Sequence, residues 1–314
     1  MEKILLASPR GYCAGVDRAV QTVERALELY GAPVYVRKEI VHNKHVVAQL
    51  RERGAIFVDD EREVPEGAVA VFSAHGVAPS VHANAAQRGL RTIDATCPLV
   101  TKVHKEALKF ARDGYTIVLV GHAGHEEVEG TMGEAPDRIV LVENEEDVDQ
   151  LQIENPDKVA YISQTTLSVD ETRAIIGRLR ERFPTAIGPR TDDICYATTN
   201  RQMAVKQLAS QCDLVLVIGS RNSSNSQRLV DVTREHGTEA HLIDHEGQVD
   251  ESWLAGKRVV GITSGASAPE ELVQRLVDEL RSRGTQQVAE LDVISEDVRF
   301  MLPKQIREEI AARE

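Results

Sequence analysis

Two hydrophobic patterns alternate along the chain. Apolar residues spaced three and four apart over roughly 15–30, 98–113 and 198–211 predict three amphipathic helices. Each is followed by an apolar run, PVYVRKEIV, YTIVLVG or DLVLVIG, with the length and β-branched content of a buried strand. A further helix follows in each case. Then comes a short strand ending in acid or amide (IFVDD, IVLVEN, HLID), an acidic spacer, and a last strand ending in small polar residues (VFSAHG, YISQTT, GITSGAS). Strands alternating with helices predict mainly parallel sheets with helices on both faces.

The order recurs three times, and no Pro-, Gly- or Ser-rich linker separates the copies. The predicted units are 1–95, 96–192 and 193–285, with 286–314 a tail that packs back on them. Each unit carries one cysteine, Cys13, Cys97 or Cys195, in a polar loop (SPRGYCAG, DATCPLV, DDICYATT) leading into the first helix. His42 lies 29 residues after Cys13, His125 lies 28 after Cys97, and Ser223 lies 28 after Cys195, all in loops after the apolar strand. His75, Thr165 and Ser267 follow their cysteines by 62, 68 and 72 residues, at the end of the last strand.

Parallel α/β sheets gather ligands beyond the carboxyl ends of their strands, where all these loops fall. Three similar α/β units in a pseudo-threefold trefoil would aim nine loops at one cavity and bring one cysteine from each to its centre. The predicted fold is therefore α/β, three similar units with mainly parallel sheets in a pseudo-threefold trefoil around one central site.

Charge and composition narrow the chemistry. With 314 residues and 42% hydrophobic content the chain has material for several cores, and its net charge of −13 argues against nucleic acid and against anionic membranes. The N-terminus has four apolar residues between Lys3 and Pro9, too few for a signal-peptide core, and no segment has membrane-spanning length. A cytoplasmic protein is expected. In that reducing compartment four cysteines point to metal or catalysis rather than disulfides, and none forms a C-x-x-C pair.

Three thiolates without a fourth suit a 4Fe-4S cluster with one iron lacking a protein ligand. A lone cysteine is more often a small buried hydrophobe, but three at matching repeat positions reverse that. Cys212, with no counterpart, reads as core. A zinc site of cysteine and histidine is the competing metal reading, weakened by the absence of closely spaced ligand pairs.

Ser223, Ser224 and Asn225 precede one predicted helix and Ser267 another, so hydroxyls and helix amides would serve an anion such as phosphate, or simply cap the helices. The two uses are compatible. His42, His75 and His125 at strand ends fit the same anion; His45, His82 and His122 have no matches across units. Glu126 and Glu127 either face solvent or offer one carboxyl group as a proton donor in an enclosed cavity. No Walker A or G-x-G-x-x-G sequence supports a nucleotide.

The segments GYCAGVDRAV, VHN, SAHGV, DATCPLVTKVH, GHAGHEEVEGTMG, SQTTLSVDET, DDICYATTNRQ, GSRNSSNS, TSGASAPE and EDVRFMLP span nearly the whole chain. Together they resemble the family of 4-hydroxy-3-methylbut-2-enyl diphosphate reductase, also called the LytB family. The resemblance implies a three-lobed fold around one 4Fe-4S cluster held by Cys13, Cys97 and Cys195. It implies reductive removal of an allylic hydroxyl, yielding isopentenyl and dimethylallyl diphosphate. By motif position, His42, His75, Ser223, Ser224, Asn225 and Ser267 would hold the diphosphate, with His125 near it, Thr165 near the hydroxyl and Glu127 as proton source. A ferredoxin or flavodoxin would supply electrons.

One departure stands out. The family usually has proline between the second histidine and the glutamate, and here Glu126 fills that place, leaving Glu127 in register beside an added charge. Two other readings remain at this level: a non-redox hydro-lyase using an open iron, separable by the redox level of its product, and a cluster carrier or sensor, which needs no fitted substrate pocket.

Overall fold

A computed structural model describes residues 1–285 and 287–313. The chain divides into two compact units. The first comprises Met1–Asp17, His42–Gln49 and Tyr196–Arg299; the second comprises Arg18–Val41, Leu50–Cys195 and Phe300–Glu314.

In chain order the strands are β1 (Lys3–Ser8), β2 (Val34–Arg37), β3 (Ala55–Val58), β4 (Val69–Phe72), β5 (Arg91–Asp94), β6 (Thr116–Val120), β7 (Ile139–Val142), β8 (Val159–Ser163), β9 (Leu214–Ile218), β10 (Glu239–Ile243), β11 (Val259–Ser264) and β12 (Gln287–Asp292). The helices are α1 (Ala14–Tyr30), α2 (Lys44–Glu52), α3 (Pro79–Gln87), α4 (Pro98–Arg112), α5 (Glu126–Met132), α6 (Glu145–Gln150), α7 (Val169–Arg182), α8 (Tyr196–Ala209), α9 (Ser224–Glu235), α10 (Glu251–Leu254), α11 (Glu270–Ser282) and α12 (Lys304–Arg313).

The strands form three parallel sheets, as the alternating pattern predicts. The first unit holds β10-β9-β11-β1-β12; the second holds β3-β2-β4-β5 and, separately, β7-β6-β8. Continuous apolar runs arise because both faces of a sheet are covered. In β9, Leu214, Leu216 and Ile218 pack with Leu272, Leu276 and Leu280 of α11, while Val215 and Val217 pack with Val205 and Leu208 of α8 and Leu229 of α9. In β6, Val118 and Val120 meet Ile175 and Leu179 of α7, while Ile117 and Leu119 meet Val103 and Phe110 of α4. A smaller core under β4 joins Phe72 to Val81 and Ala85 of α3.

Two features differ from the sequence pattern. The run PVYVRKEIV is strand only as far as Arg37, because Lys38 turns to φ 58°, a left-handed backbone that ends extended structure. An extended segment also precedes each cysteine loop and pairs with the last strand of the preceding repeat. β5, before Cys97, pairs with β4; Ile187, before Cys195, bridges to Ala160 of β8; β1, before Cys13, lies between β11 and β12. Thus β1, at the start of the chain, belongs to the sheet of residues 193–285, and β12 extends that sheet into the tail.

Candidate active site

All three marked cysteines sit where a polar loop becomes a helix. Cys13 and Cys195 immediately precede α1 and α8, and Cys97 is the residue before Pro98 of α4. Each backbone N–H donates to the loop after the last strand of the preceding repeat: Cys13 to Ala266 O at 3.2 Å, Cys97 to Ala74 O at 2.9 Å, and Cys195 to Thr165 O at 3.1 Å. The carbonyls flank or belong to Ser267, His75 and Thr165, so one repeated hydrogen bond pins each cysteine beside a marked polar residue. All three are half-buried and none is in a disulfide.

The position suits a cluster ligand. Helix N-termini stabilise negative charge, and the thiolate is the form that binds metal. Cys212 differs in kind: it packs among core side chains, and burial pushes its thiol up to about 12, which disfavours the thiolate. Three donors of one type fit an iron-sulfur group.

In the first unit, polar side chains at the ends of β9 and β11 form one network. Ser223 caps α9, its Oγ accepting from Ser226 N at 3.3 Å and from Ser226 Oγ at 3.0 Å. Ser267 Oγ donates to His42 O at 2.9 Å and lies 3.5 Å from Ser223 Oγ. Asn225 is held from both ends, its Oδ1 accepting from Ala266 N at 2.9 Å and its Nδ2 donating to Thr198 Oγ1 at 3.2 Å. The His42 loop is tied to the same strand ends, because Lys44 N donates to Ser220 Oγ at 3.1 Å and Ser220 Oγ donates to Asp244 at 2.8 Å. Ser224 opens α9. Capping and a clustered set of donors therefore coexist.

The second unit brings together Glu127, Thr165, His75, His125 and Glu126. Glu127 is only 3% exposed. One carboxylate oxygen accepts from Thr165 N at 2.6 Å and the other from Thr165 Oγ1 at 3.0 Å. Burial nevertheless dominates, pushing Glu127 up to about 7 against the opposing Thr165 hydrogen bonds and the charge of His104; the charge of Asp193 adds to the rise. A carboxyl group in this state carries a proton near neutral pH.

The two neighbouring histidines both engage through Nδ1, but with partners of opposite kind. His125 caps α5 by accepting from Glu127 N through Nδ1 at 3.2 Å, so in the neutral ring the proton lies on Nε2. His75 turns Nδ1 to the Glu126 carboxylate at 3.1 Å, with Ser73 Oγ 3.2 Å from the same nitrogen. The ring centroids lie 5.9 Å apart, edge to face. Glu126, the residue in the family's proline position, is thus spent on His75, and Glu127 on Thr165.

Some supporting residues escaped the sequence reading. Ser73, two residues before His75, was masked by its place in a strand-end motif. Asp193 is buried with Lys102 Nζ at 3.1 Å and Ser163 N at 3.0 Å, and burial raises its carboxyl; its position two residues before Cys195 was the available signal. His104, on α4, pairs with Glu134 at 2.8 Å, while its buried Nε2 has no hydrogen-bond partner among the described residues. Nothing local marks a helical histidine as buried.

Comparison with known proteins agrees on one family. A family model described as LytB protein matches residues 4–281. A 4-hydroxy-3-methylbut-2-enyl diphosphate reductase of Nocardia farcinica is 61% identical over 307 residues, covering 98% of this chain and 91% of that protein. One of the same name from Leifsonia xyli subsp. xyli is 58% identical over 313 residues, covering 99% and 93%. The solved structure of the E-1-hydroxy-2-methyl-but-2-enyl-4-diphosphate reductase from Plasmodium falciparum superposes with a TM-score of 0.96 at 39% identity, over 99% of this chain and 98% of that one.

Proposed function

The chain belongs to the LytB protein family, and on that premise we propose how its residues divide the work of a 4-hydroxy-3-methylbut-2-enyl diphosphate reductase. The reaction takes the allylic alcohol diphosphate with two electrons and two protons to isopentenyl or dimethylallyl diphosphate and water. It is the last step of the non-mevalonate isoprenoid pathway. The family carries an iron-sulfur centre.

In our reading that centre is one 4Fe-4S cluster held by Cys13, Cys97 and Cys195, its fourth iron without a protein ligand. When bound, it supplies a Lewis-acidic iron and electrons one at a time. His42, His75, Ser223, Ser224, Asn225 and Ser267 bind and orient the diphosphate, with His125 beside it. Thr165 lies near the substrate hydroxyl, and Glu127 delivers the proton that lets the oxygen leave as water. The electron donor is a ferredoxin or flavodoxin, and the enzyme works in the cytoplasm; among the described residues no helix is long and apolar enough to cross a membrane.

The observation that carries this reading is Glu127. A carboxyl group that holds its proton to about pH 7, gripped through both oxygens by Thr165, is matched to proton delivery at physiological pH. A hydro-lyase would need no electrons. The test is anaerobic purification, a visible spectrum, and an assay with reduced donor and the allylic diphosphate. Brown protein forming isoprenyl diphosphates is expected. Colourless protein that binds only zinc, or water loss without electron uptake, would overturn it.

A further inference from the structure

Ser226 is fully buried and belongs to none of the groups assigned above. Its hydroxyl has one hydrogen-bond partner among the described residues, Ser223 Oγ at 3.0 Å, and its backbone N–H donates to the same atom at 3.3 Å. A buried hydroxyl that fails to donate leaves an unsatisfied proton, so Ser226 donates and Ser223 accepts. Ser223 Oγ then has both lone pairs filled by Ser226. Its own hydrogen is left for a further acceptor: Ser267 Oγ, itself donating to His42 O, lies at 3.5 Å, too long for a good hydrogen bond.

The surroundings of Ser226 support a specific role. Its side chain sits against Gly219, just beyond β9, and Gly265, just beyond β11; a methyl group at either glycine would overlap Ser226 Oγ. Neither glycine has a positive φ, so the backbone does not demand glycine there. What they provide is room for a buried hydroxyl. Capping of α9 by Ser223 needs only the Ser226 backbone N–H, which any residue supplies.

We propose that Ser226 is a positioning residue for diphosphate binding: it fills the acceptor sites of Ser223 Oγ and so fixes that hydroxyl as a donor toward the anionic group. The inference rests on the reading of Ser223 as a diphosphate ligand. Hydrogen bonds in series also polarise one another, which strengthens the outward donor.

The test is isothermal titration of the anaerobic holoenzyme with inorganic diphosphate, on Ser223→Ala, Ser226→Ala and the double variant, alongside steady-state kinetics. Losing one such bond weakens binding on the order of 5-fold. Ser226→Ala is expected to raise Kd and KM by that factor with kcat within about twofold, and the double variant to bind no worse than Ser223→Ala alone. Additive losses would mean that Ser226 acts through packing and would overturn the inference, as would wild-type binding by Ser226→Ala when Ser223→Ala is weakened. Wild-type binding by Ser223→Ala would instead remove Ser223 from the diphosphate site, and this inference with it. Should Ser226→Ala fail to fold, Ser226→Gly gives the same readout.

Discussion

Replacing Glu127 by glutamine separates its charge from its shape. The folded protein holds the carboxyl at about 7 against an ordinary 4.5, so the fold favours the protonated form. That preference is fully present below pH 4.5 and is lost as the pH rises toward 7, because the unfolded chain releases the proton first. At about 1.4 kcal/mol per pH unit the loss amounts to roughly 3 kcal/mol above pH 7. Glutamine keeps the acceptor for Thr165 N and places an amide against Thr165 Oγ1, which can rotate to accept, so most of the local bonding survives. Glu127→Gln is therefore expected to gain on the wild type in urea midpoint as pH rises, its advantage growing by about 2–3 kcal/mol between pH 5 and pH 8.5, while turnover is lost and the cluster colour stays. A constant stability difference across that range would show that Glu127 is ionised well below 7, and full activity of the variant would remove it from the chemistry.

Thr165→Val deletes the hydroxyl that lowers Glu127 and keeps the backbone donor; the alkaline limb of the kcat profile should move up by about one pH unit, and a limb that stays or moves down contradicts the assignment. Serine at Cys13, Cys97 or Cys195 should abolish bound iron and visible absorption, whereas Cys212→Ala should retain both, checked by iron analysis and spectra. Because Glu126 engages His75 rather than Thr165, Glu126→Gln should leave kcat within about twofold and act, if at all, on KM. A collapse of kcat would make Glu126 the proton source instead.

The threefold order of strands, helices and cysteines was legible along the chain because buried parallel strands and amphipathic helices write their periods locally. The marked residues do lie at strand ends and helix starts, which is where α/β proteins place chemistry. The sequence also separated Cys212 from the other three thiols by position alone. Tertiary structure decided what pattern cannot encode. Partnership is one such matter: β1 pairs with β11 and β12, 256 and 284 residues further along the chain, and nothing in KILLAS specifies its neighbours. Orientation is another. Two adjacent glutamates look alike in HEEVEG, yet helix geometry turns Glu127 into the interior toward Thr165 and Glu126 toward His75. The raised proton affinity of Glu127 belongs to burial, which exists only once the chain has folded around it. Likewise Ser226 is one serine among several in SRNSSNS, and only the folded packing buries it against Gly219 and Gly265 with Ser223 Oγ as its hydrogen-bond partner.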